Sequence, residues 1–343
     1  MIKLFNLSEA EQWDACVKSF AEWDVYYLSG YVKAFHIHGD GDPFLLYYED
    51  NGLRAIYVYM RRPTALPSVY DSVTPYGYGG VLFEGDATEE NRKAFWAGYL
   101  TVMHDENIVD NFVRYHPVLK NAVPMKDISN VIDLGKTIAF DLTSPEVIWE
   151  NIISKNRNMI RKAEKNGITI EHGKGMDLLD KFTEIYNATM DKDHAEEYYY
   201  FKRPFYESID RDLQDNYEMF YAMYEGRPIA MSIMIFANGR LNYHLSGSDI
   251  EYRNLAPSNL LLYKAALWGY EQGCKTFHLG GGVGSGEDNL YKFKAAFNKN
   301  SDYQFSIGKE IFDQEKYDQL VAERASRDDG FDRESRFFPL YRA

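Results

Sequence analysis

The feature that most constrains the fold is a series of elements that occurs twice along the chain. The stretches "LLYYEDNGLRAIYVYM" (45–60) and "MFYAMYEGRPIAMSIMIF" (219–236) each contain two strand-length apolar runs separated by a short turn that ends in glycine. Such a turn between alternating apolar runs is a strong signal for a β-hairpin. A third strand-like stretch, a helix-like stretch and a further strand-like stretch follow each hairpin. The sequence therefore predicts two α/β halves with one element order, as a duplication would produce.

The boundary between the halves is predicted near residue 141, where a helix begins. Ser144 is a preferred N-cap residue, Pro145 suits the first helical position, and Glu146 is favourable near a helix N-terminus. We expect this helix to continue to Gly167. The predicted domains are residues 1–140 and residues 141–310, followed by a C-terminal appendage at 311–343.

Composition excludes several classes of protein. The chain of 343 residues has 52 acidic side chains against 38 Lys and Arg, and a net charge of −14. A general nucleic-acid binder would be basic, because phosphate contacts supply most of the affinity. Two cysteines, Cys16 and Cys274, are too few for a disulfide framework and indicate a reducing compartment. The longest apolar run, "NLLLYKAALWGY", is too short to cross a bilayer. We expect a soluble cytoplasmic protein without a transmembrane segment.

The stretch "HLGGGVGSGEDNLYKFKAAFNK" (278–299) combines glycines with lysines but does not match a nucleotide-binding P-loop. A Walker A loop needs Lys and Ser or Thr after its last glycine, whereas Glu287 and Asp288 follow Gly286. Two carboxylates at that point would repel a triphosphate. The glycines therefore form either a flexible strand-to-helix turn or a loop that lets a substrate approach the backbone closely.

The helix after these glycines places a lysine on an apolar face. Leu290, Phe293 and Phe297 have the spacing of one helical stripe, and Lys294 lies on the same stripe. A lysine there either extends its amine past the apolar surface into water or lies in a cleft with a shifted pKa. The pattern alone leaves both interpretations open.

Two other stretches are candidates for substrate contacts. "SKNRNMIRKAEKNG" places Arg157 and Arg161 on one helix face, as either a solvated surface or an anchor for phosphate. "TPYGYGG" interleaves Tyr76 and Tyr78 with glycines, as either a tight turn with core aromatics or a ligand-binding loop. No cluster of Cys, His, Asp and Glu has the spacing of metal ligands, and we expect no metal.

Taken together, these stretches resemble a known family. "RLNYHLSGSDIEYRNLAPSNLLLYKAALWGYEQGCKTFHLGGGVGSGEDNLYKFKAAFNK" resembles the second domain of the Fem-type peptidyltransferases, the FemAB family. "KNRNMIRKAEKNGITI" is similar to the basic helix of that family, and "YLSGYVKAF" and "TPYGYGG" are similar to its first-domain motifs. The resemblance implies an α/β (α+β) fold of two tandem GNAT-like domains with mixed, mainly antiparallel central sheets that share a cleft.

The activity implied by the resemblance is N-acyl transfer. An aminoacyl or acyl group would move from either aminoacyl-tRNA or acyl-CoA to an amine, on a small molecule or on a peptidoglycan or other cell-envelope precursor. In the segment that matches the GNAT pyrophosphate loop, Ala256 replaces glycine and Pro257 lacks an amide hydrogen, which weakens the case for coenzyme A. The acidic charge counts against tRNA. The alternatives are an acyl-CoA-dependent N-acetyltransferase for a small molecule or sugar amine, and a non-catalytic binding protein that kept the cleft.

The resemblance also assigns roles to individual residues. Lys294 matches the lysine of the family's helix at the reaction cleft and is the predicted catalytic residue. Lys33 matches a first-domain lysine implicated in holding acceptor phosphates, and Arg157 or Arg161 would be a second phosphate anchor. No general base is predicted. The predicted substrate-binding residues are Lys33, Tyr76, Tyr78, Arg157, Arg161, Tyr243 and Arg253.

Overall fold

In the computed structural model, which describes residues 1–343, the chain forms thirteen strands and ten α-helices. The strands are β1 (Ile2–Phe5), β2 (Asp42–Asp50), β3 (Leu53–Pro63), β4 (Tyr70–Val73), β5 (Leu82–Gly85), β6 (Ile108–Arg114), β7 (Val131–Asp141), β8 (Thr169–Gly173), β9 (Tyr217–Tyr224), β10 (Arg227–Ala237), β11 (Arg240–Ser248), β12 (Thr276–Gly280) and β13 (Tyr303–Ile311). The helices are α1 (Ala10–Lys18), α2 (Ser29–His38), α3 (Glu89–Asp105), α4 (Pro145–Asn151), α5 (Ser154–Lys165), α6 (Met176–Lys192), α7 (Arg203–Asp212), α8 (Pro257–Glu271), α9 (Asn289–Ala295) and α10 (Gln314–Arg327). None of these helices combines the length and the hydropathy that a bilayer span requires.

The chain divides into two units. Unit 1 consists of Met1–Leu134 and Phe305–Ala343, and unit 2 consists of Gly135–Gln304. The chain thus returns at its end to the unit in which it began, and residues 311–343 are part of unit 1. Buried hydrogen bonds hold this last segment in place, because the Tyr341 hydroxyl donates to Asp110 Oδ2 at 2.6 Å and lies 3.0 Å from Asp71 Oδ2.

The two predicted hairpins are confirmed. Asn51 and Gly52 connect β2 to β3 with φ of 47° and 77°, and Glu225 and Gly226 connect β9 to β10 with φ of 49° and 79°. A two-residue turn with positive φ at both positions matches the twist of the strands that it joins. Glycine at the second position adopts this conformation without a steric penalty.

Both units have the same sheet order. In unit 1 the order is β1-β2-β3-β4-β6-β13, with β5 paired to β3, and in unit 2 it is β8-β9-β10-β11-β12-β7. Each sheet contains one parallel pair of strands, β4 with β6 and β11 with β12. The other neighbouring pairs are antiparallel. The predicted α/β class with mixed, mainly antiparallel sheets is therefore confirmed.

Each unit has its own apolar core. In unit 2, α5 and α8 pack on the sheet through buried side chains that include Ile160, Leu261, Ala265 and Phe277. In unit 1, buried aromatic residues dominate, among them Tyr57, Tyr59, Phe95 and Tyr99. Burial of this apolar area is the main favourable term in folding each unit.

The helix predicted to run from Ser144 to Gly167 is two helices, which corrects the sequence interpretation. Its start is as expected, since Ser144 Oγ accepts a hydrogen bond from the Val147 amide at 3.2 Å. Between α4 and α5, Ile152 and Ile153 have extended backbone. Arg157 stabilises the break by donating from Nη1 to the carbonyls of Trp149 at 3.3 Å and Ile152 at 2.8 Å. These bonds replace the helical hydrogen bonds that the carbonyls would otherwise accept.

Candidate functional site

The parallel strands of unit 2 separate after a short region of pairing. β11 pairs with β12 only where residues 240–242 face residues 276–278. Immediately beyond, β11 contains a bulge, because Met234 of β10 faces Tyr243 whereas Ile233 faces Leu245. His244 is therefore the extra residue on β11. A bulge bends its strand and leaves a residue outside the regular ladder, and this bulge lies next to the point where the pairing of β11 with β12 ends.

Helix α8 follows β11 in the chain, beyond the point where the pairing with β12 ends. Ala256, which precedes the helix, has a φ of 61° and is 2% exposed, and Pro257 is the first helical residue. No side chain caps this N-terminus. The first turn of the helix therefore presents amide groups and the positive end of the helix dipole.

The glycine segment after β12 is closely packed. A Cβ on Gly282 would lie 2.3 Å from Asp288 Oδ1 and 2.3 Å from the Gly286 carbonyl oxygen. Asp288 caps α9 by accepting from the Tyr291 amide at 2.8 Å, and it also accepts from the Val283 amide at 3.2 Å. These contacts show that the loop packs on itself at Gly282. The approach of a substrate to its backbone remains a prediction.

Lys294 on α9 lies inside the protein and is only 8% exposed. Its Nζ donates a hydrogen bond of 2.7 Å to the Gly281 carbonyl oxygen. Burial lowers the pKa of Lys294 to about 8, and the charge of Asp288 opposes that shift. Burial disfavours the charged amine because water no longer solvates it. The amine is thus mostly cationic at neutral pH, and it has N–H groups left after the bond to Gly281.

Near the bulge, Tyr243 and His244 are both uncharged at neutral pH. Burial raises the pKa of the Tyr243 phenol, while the Ser246 and Ser232 hydroxyls oppose this shift. Burial lowers the pKa of the His244 imidazole to about 3. His244 was not among the sequence candidates. No local signal marks it, since a bulge depends on the register with β10.

Two of the site residues predicted in unit 1, Tyr76 and Tyr78, lie in the "TPYGYGG" segment itself. The Tyr76 ring stacks on Phe35 at 5.3 Å between centroids, and the Tyr78 ring meets Tyr26 edge-on at 5.9 Å. Lys33 lies half-buried on α2. This segment therefore combines packed aromatic residues with half-buried side chains, as both sequence interpretations allow.

The comparisons with known proteins agree with this geometry. Residues 153–294, all within unit 2, match the family model for the acetyltransferase (GNAT) domain. Residues 153–294 form a GNAT domain. The match begins just before α5, includes the bulged strand β11, helix α8 and strand β12, and ends at Lys294. A comparison with curated proteins finds none that matches the chain.

Solved structures extend the likeness from the GNAT domain to the whole chain. FemX is 15% identical with a TM-score of 0.69, covering 92% of this chain and 99% of FemX. The C-terminal DUF2156 domain of a candidate lysylphosphatidylglycerol synthetase from Agrobacterium fabrum is 15% identical with a TM-score of 0.59, covering 89% and 92%. L-PGS from Bacillus licheniformis is 13% identical with a TM-score of 0.55, covering 94% and 98%. The chain has the FemAB-like tandem GNAT fold that the sequence motifs predicted, and thus an acyltransferase fold.

The structure distinguishes Arg157 from Arg161, which the sequence left as equivalent candidates for a phosphate anchor. Arg157 is half-buried and bonded to carbonyls, as described above, whereas Arg161 is exposed, with its guanidinium 5.1 Å from the Trp149 ring centroid. Arg253 is exposed in the turn that leads into α8. Tyr243 thus lies on β11 at the bulge, Arg253 lies in the turn that follows β11, and Lys294 lies on the helix that follows β12. Arg161 is on the surface of α5.

Proposed function

We propose that this protein is an N-acyltransferase whose reaction centre lies in the GNAT domain. The observation that carries the proposal is the Lys294 amine, which is buried, has a pKa of about 8 and lies 2.7 Å from the carbonyl of Gly281 in the loop that follows β12. Burying a cation costs free energy because the charge loses its water. Lysines with a perturbed pKa are enriched at functional sites.

The proposed reaction is the aminolysis of an ester or thioester. A neutral acceptor amine attacks the acyl carbon, the bond to the leaving oxygen or sulfur breaks, and the amine proton passes to the leaving group. Negative charge develops on the acyl oxygen before that bond breaks. Lys294 would donate to this oxygen, and donors fixed in place in this way supply a large part of catalysis in acyl transfer.

The acceptor is proposed to be an amine on a cell-envelope precursor. The supporting observation is the fold shared with FemX and L-PGS across nearly the whole chain. Lys33, Tyr76 and Tyr78 would contact the acceptor in unit 1. In the GNAT domain, Arg161 is the better phosphate anchor, because the guanidinium of Arg157 already donates to two carbonyls.

The donor is proposed to be an aminoacyl ester or an acyl thioester held where β11 and β12 separate. Tyr243 would contact the donor at this point, and Arg253 would meet the phosphates of the donor beside the N-terminus of α8. We also propose a cytoplasmic location, in keeping with the two free cysteines, Cys16 and Cys274.

Donor discrimination combined with one variant pair tests the proposal. Purified protein is mixed with acetyl-CoA or with charged tRNA, and thermal stabilisation and RNase-sensitive retention are measured, because a ligand that binds only the folded state raises the melting temperature. Transfer to an amine acceptor is then compared in Lys294→Met and in Lys292→Met, whose lysine is exposed on the same helix. We expect Lys294→Met alone to lose turnover while both variants remain folded.

Each outcome separates the candidate functions. Stabilisation by acetyl-CoA identifies an acyl-CoA-dependent transferase despite Pro257, and retention of charged tRNA identifies an aminoacyl transferase. Full turnover in Lys294→Met would refute the assignment of the reaction centre. Acceptor binding without transfer from either donor would favour a binding protein, a reading for which the missing amide at Pro257 is the supporting observation.

A further inference from the structure

The segment at residues 76–81, here called the tyrosine loop, has nearly all of its carbonyl groups held by side chains of unit 1. The donors come from α2, from the turn before α2, from the end of β6 and from the segment that follows β6. The bonds are Tyr31 Oη to Tyr76 O (2.6 Å), Arg114 Nε to Gly77 O (2.9 Å), Asn121 Nδ2 to Gly79 O (2.8 Å), Tyr27 Oη to Gly80 O (2.9 Å) and Asn121 Nδ2 to Val81 O (3.2 Å). The loop is therefore held in one conformation before any ligand arrives.

The glycines of the tyrosine loop serve close packing. Gly77 has a φ of 89°, and a Cβ there would lie 2.6 Å from Cε1 of Tyr26. Gly80 has a φ of 95°, and its Cβ would lie 2.6 Å from Cδ1 of Tyr115. The loop backbone thus rests directly on the rings of Tyr26 and Tyr115, both of which are buried.

Arg114 adds a positive charge to this loop. It is the last residue of β6 and is exposed. Its Nε is used by the Gly77 carbonyl, and its guanidinium lies 5.5 Å from the Phe305 ring centroid. No carboxylate forms an ion pair with it, and its two terminal nitrogens have no acceptor in the chain. Other arginines of unit 1 are paired with acids, such as Arg54 with Glu84, Arg61 with Glu106 and Arg62 with Asp71.

The groups around Arg114 do not neutralise it. Burial raises the pKa of Tyr78, and the Arg114 charge opposes that shift, so the phenol is uncharged at neutral pH. Tyr26 behaves in the same way, with burial as the largest cause of its raised pKa. Asp24 also acts on Tyr26, but this carboxylate is fully buried and already accepts from Val25 N at 2.6 Å and pairs with His116 Nε2 at 2.9 Å.

We propose that Arg114 and the tyrosine loop form a binding site for an oxyanion, a phosphate or a carboxylate, attached to a flat or apolar group. The guanidinium offers a planar fork of N–H groups that matches such an oxyanion. The Phe305 ring lies 5.5 Å from the guanidinium and meets the Tyr78 ring edge-on, which gives the site an apolar side. The proposal rests on the proposed function in one respect, namely that the loop contacts the acceptor. The proposal adds that the acceptor carries a negative charge and that Arg114 binds this charge.

Three small probes distinguish binding of the oxyanion by Arg114 from binding of the ring by the tyrosine loop. Phenyl phosphate and benzoate carry a ring with one of the two oxyanions, and benzyl alcohol carries the ring alone. Binding of each probe to the full chain is measured by calorimetry and by ligand-observed NMR, at fixed ionic strength. The proteins are the wild type, Arg114→Gln, Arg114→Lys and the control Arg333→Gln, whose arginine is also exposed in unit 1.

We expect at least one anionic probe to bind the wild type at least about tenfold more tightly than benzyl alcohol. Arg114→Gln should remove that preference, Arg114→Lys should retain part of it, and Arg333→Gln should leave it unchanged. Preference for phenyl phosphate over benzoate identifies a phosphate site, and the reverse identifies a carboxylate site. If Arg114→Gln does not fold, Arg114→Lys decides, since it keeps the positive charge but loses the planar fork.

Two results would overturn the proposal. One is equal binding of the anionic and neutral probes by the wild type, and the other is an unchanged anion preference in both folded Arg114 variants. The measurement needs no acyl donor and no turnover. A chain that transfers no acyl group can therefore still bind the anion, and an active transferase can still fail this test.

Discussion

The parallel strand pair stays hydrogen-bonded in unit 1 and separates in unit 2. In unit 1, β4 pairs with β6 up to Val73, and the pairing continues through Thr74 N to Phe112 O at 3.1 Å and Gly79 N to Arg114 O at 2.7 Å. In unit 2, the pairing ends at Asn242 and His278. One topology thus produces a closed pair, whose hydrogen bonds continue past the strands, and an open pair, whose hydrogen bonds end within them.

Side chains explain why the pair in unit 1 remains closed. Asn111 on β6 accepts from Ser72 Oγ on β4 at 3.0 Å and from the Tyr57 hydroxyl at 2.9 Å, and it donates to the Tyr99 hydroxyl at 2.8 Å. Each of these groups is buried, and a buried polar group that lost its partner would be costly. In unit 2 the bulge at His244 shifts the register of β11 against β10, next to the residues where the pairing of β11 with β12 ends. The proposed function puts the chemistry in unit 2 and the acceptor contacts in unit 1.

The strongest test of this comparison is the charge of Lys294 in the open unit. Lys294→Met should lower the transfer rate about a hundredfold or more, as the loss of one oxyanion donor does. In the wild type the rate at saturating substrates should fall above about pH 8, because the ammonium loses its proton there. Lys294→Arg should transfer more slowly but without that alkaline fall, since arginine remains charged.

A pH–rate profile of these three proteins checks the prediction. A wild-type rate that rises through pH 8, with no such rise in Lys294→Arg, would show that Lys294 acts as a base and not as an oxyanion donor. Stability serves as the control for folding. The folded pKa lies below the ordinary value, so the unfolded chain binds more protons between about pH 8 and 10.5 and wild-type stability should rise over that window. Lys294→Met should therefore be at least as stable as the wild type at pH 7.

The next largest effect concerns two buried carboxylates in the closed unit. Burial raises the pKa of Asp110 to about 7, and the charge of Asp71 adds to the shift. The folded chain then binds more protons than the unfolded chain between about pH 4 and 7, so Asp110 lowers stability as pH rises through that window. Asp110→Asn should stabilise the protein by about 2–4 kcal/mol at pH 8 and change little at pH 4.

Urea unfolding at both pH values measures this difference. Asp86→Asn, at an exposed position in unit 1, is the matched control and should show no such pH dependence. An equal effect of Asp110→Asn at pH 4 and pH 8 would contradict the assignment, because a purely structural change has no reason to follow the titration.

The glycine loop of the open unit provides a smaller effect. Gly282→Ala should destabilise the protein by about 1–3 kcal/mol, because its Cβ would meet the Asp288 carboxylate and the Gly286 carbonyl. It should also lower transfer, since Gly281 next to it accepts the bond from Lys294. Gly286→Ala is the control, as its nearest neighbour, the Val283 carbonyl oxygen, is 3.6 Å away. Similar urea midpoints for the two variants would show that the loop is not shaped as described.

The smallest expected effect tests how firmly the tyrosine loop of the closed unit is held. Tyr31→Phe removes the hydroxyl that donates to the Tyr76 carbonyl at 2.6 Å and should cost about 1 kcal/mol. Tyr47→Phe removes a hydroxyl that bonds to the exposed Glu49 and should cost less than about 0.5 kcal/mol. Urea unfolding compares the two, and a Tyr31→Phe cost no larger than that of Tyr47→Phe would mean that this bond does not hold the loop.

Much of the architecture could be predicted from local sequence. The turns at Asn51-Gly52 and Glu225-Gly226 are hairpin turns because glycine at the second position accepts positive φ. Ser144 caps α4 as expected. The helical spacing placed Lys294 on an apolar stripe, although it could not decide between a buried and an exposed amine. Leu290, on the same stripe, is 40% exposed, so helical spacing alone overstated how much of that face is buried.

The sequence by itself thus determined the hairpins, the repeated element order and the family motifs, because each depends on residues that are close together along the chain. Only the tertiary structure decided that β13 completes unit 1 and β7 completes unit 2, that β11 bulges at His244, and that Arg157 caps a helix end while Arg161 remains exposed. Arg114 became visible as a candidate for the same reason, through its bond to the Gly77 carbonyl. These features depend on strand register and on contacts between residues distant in sequence, and such contacts form only when the chain has folded.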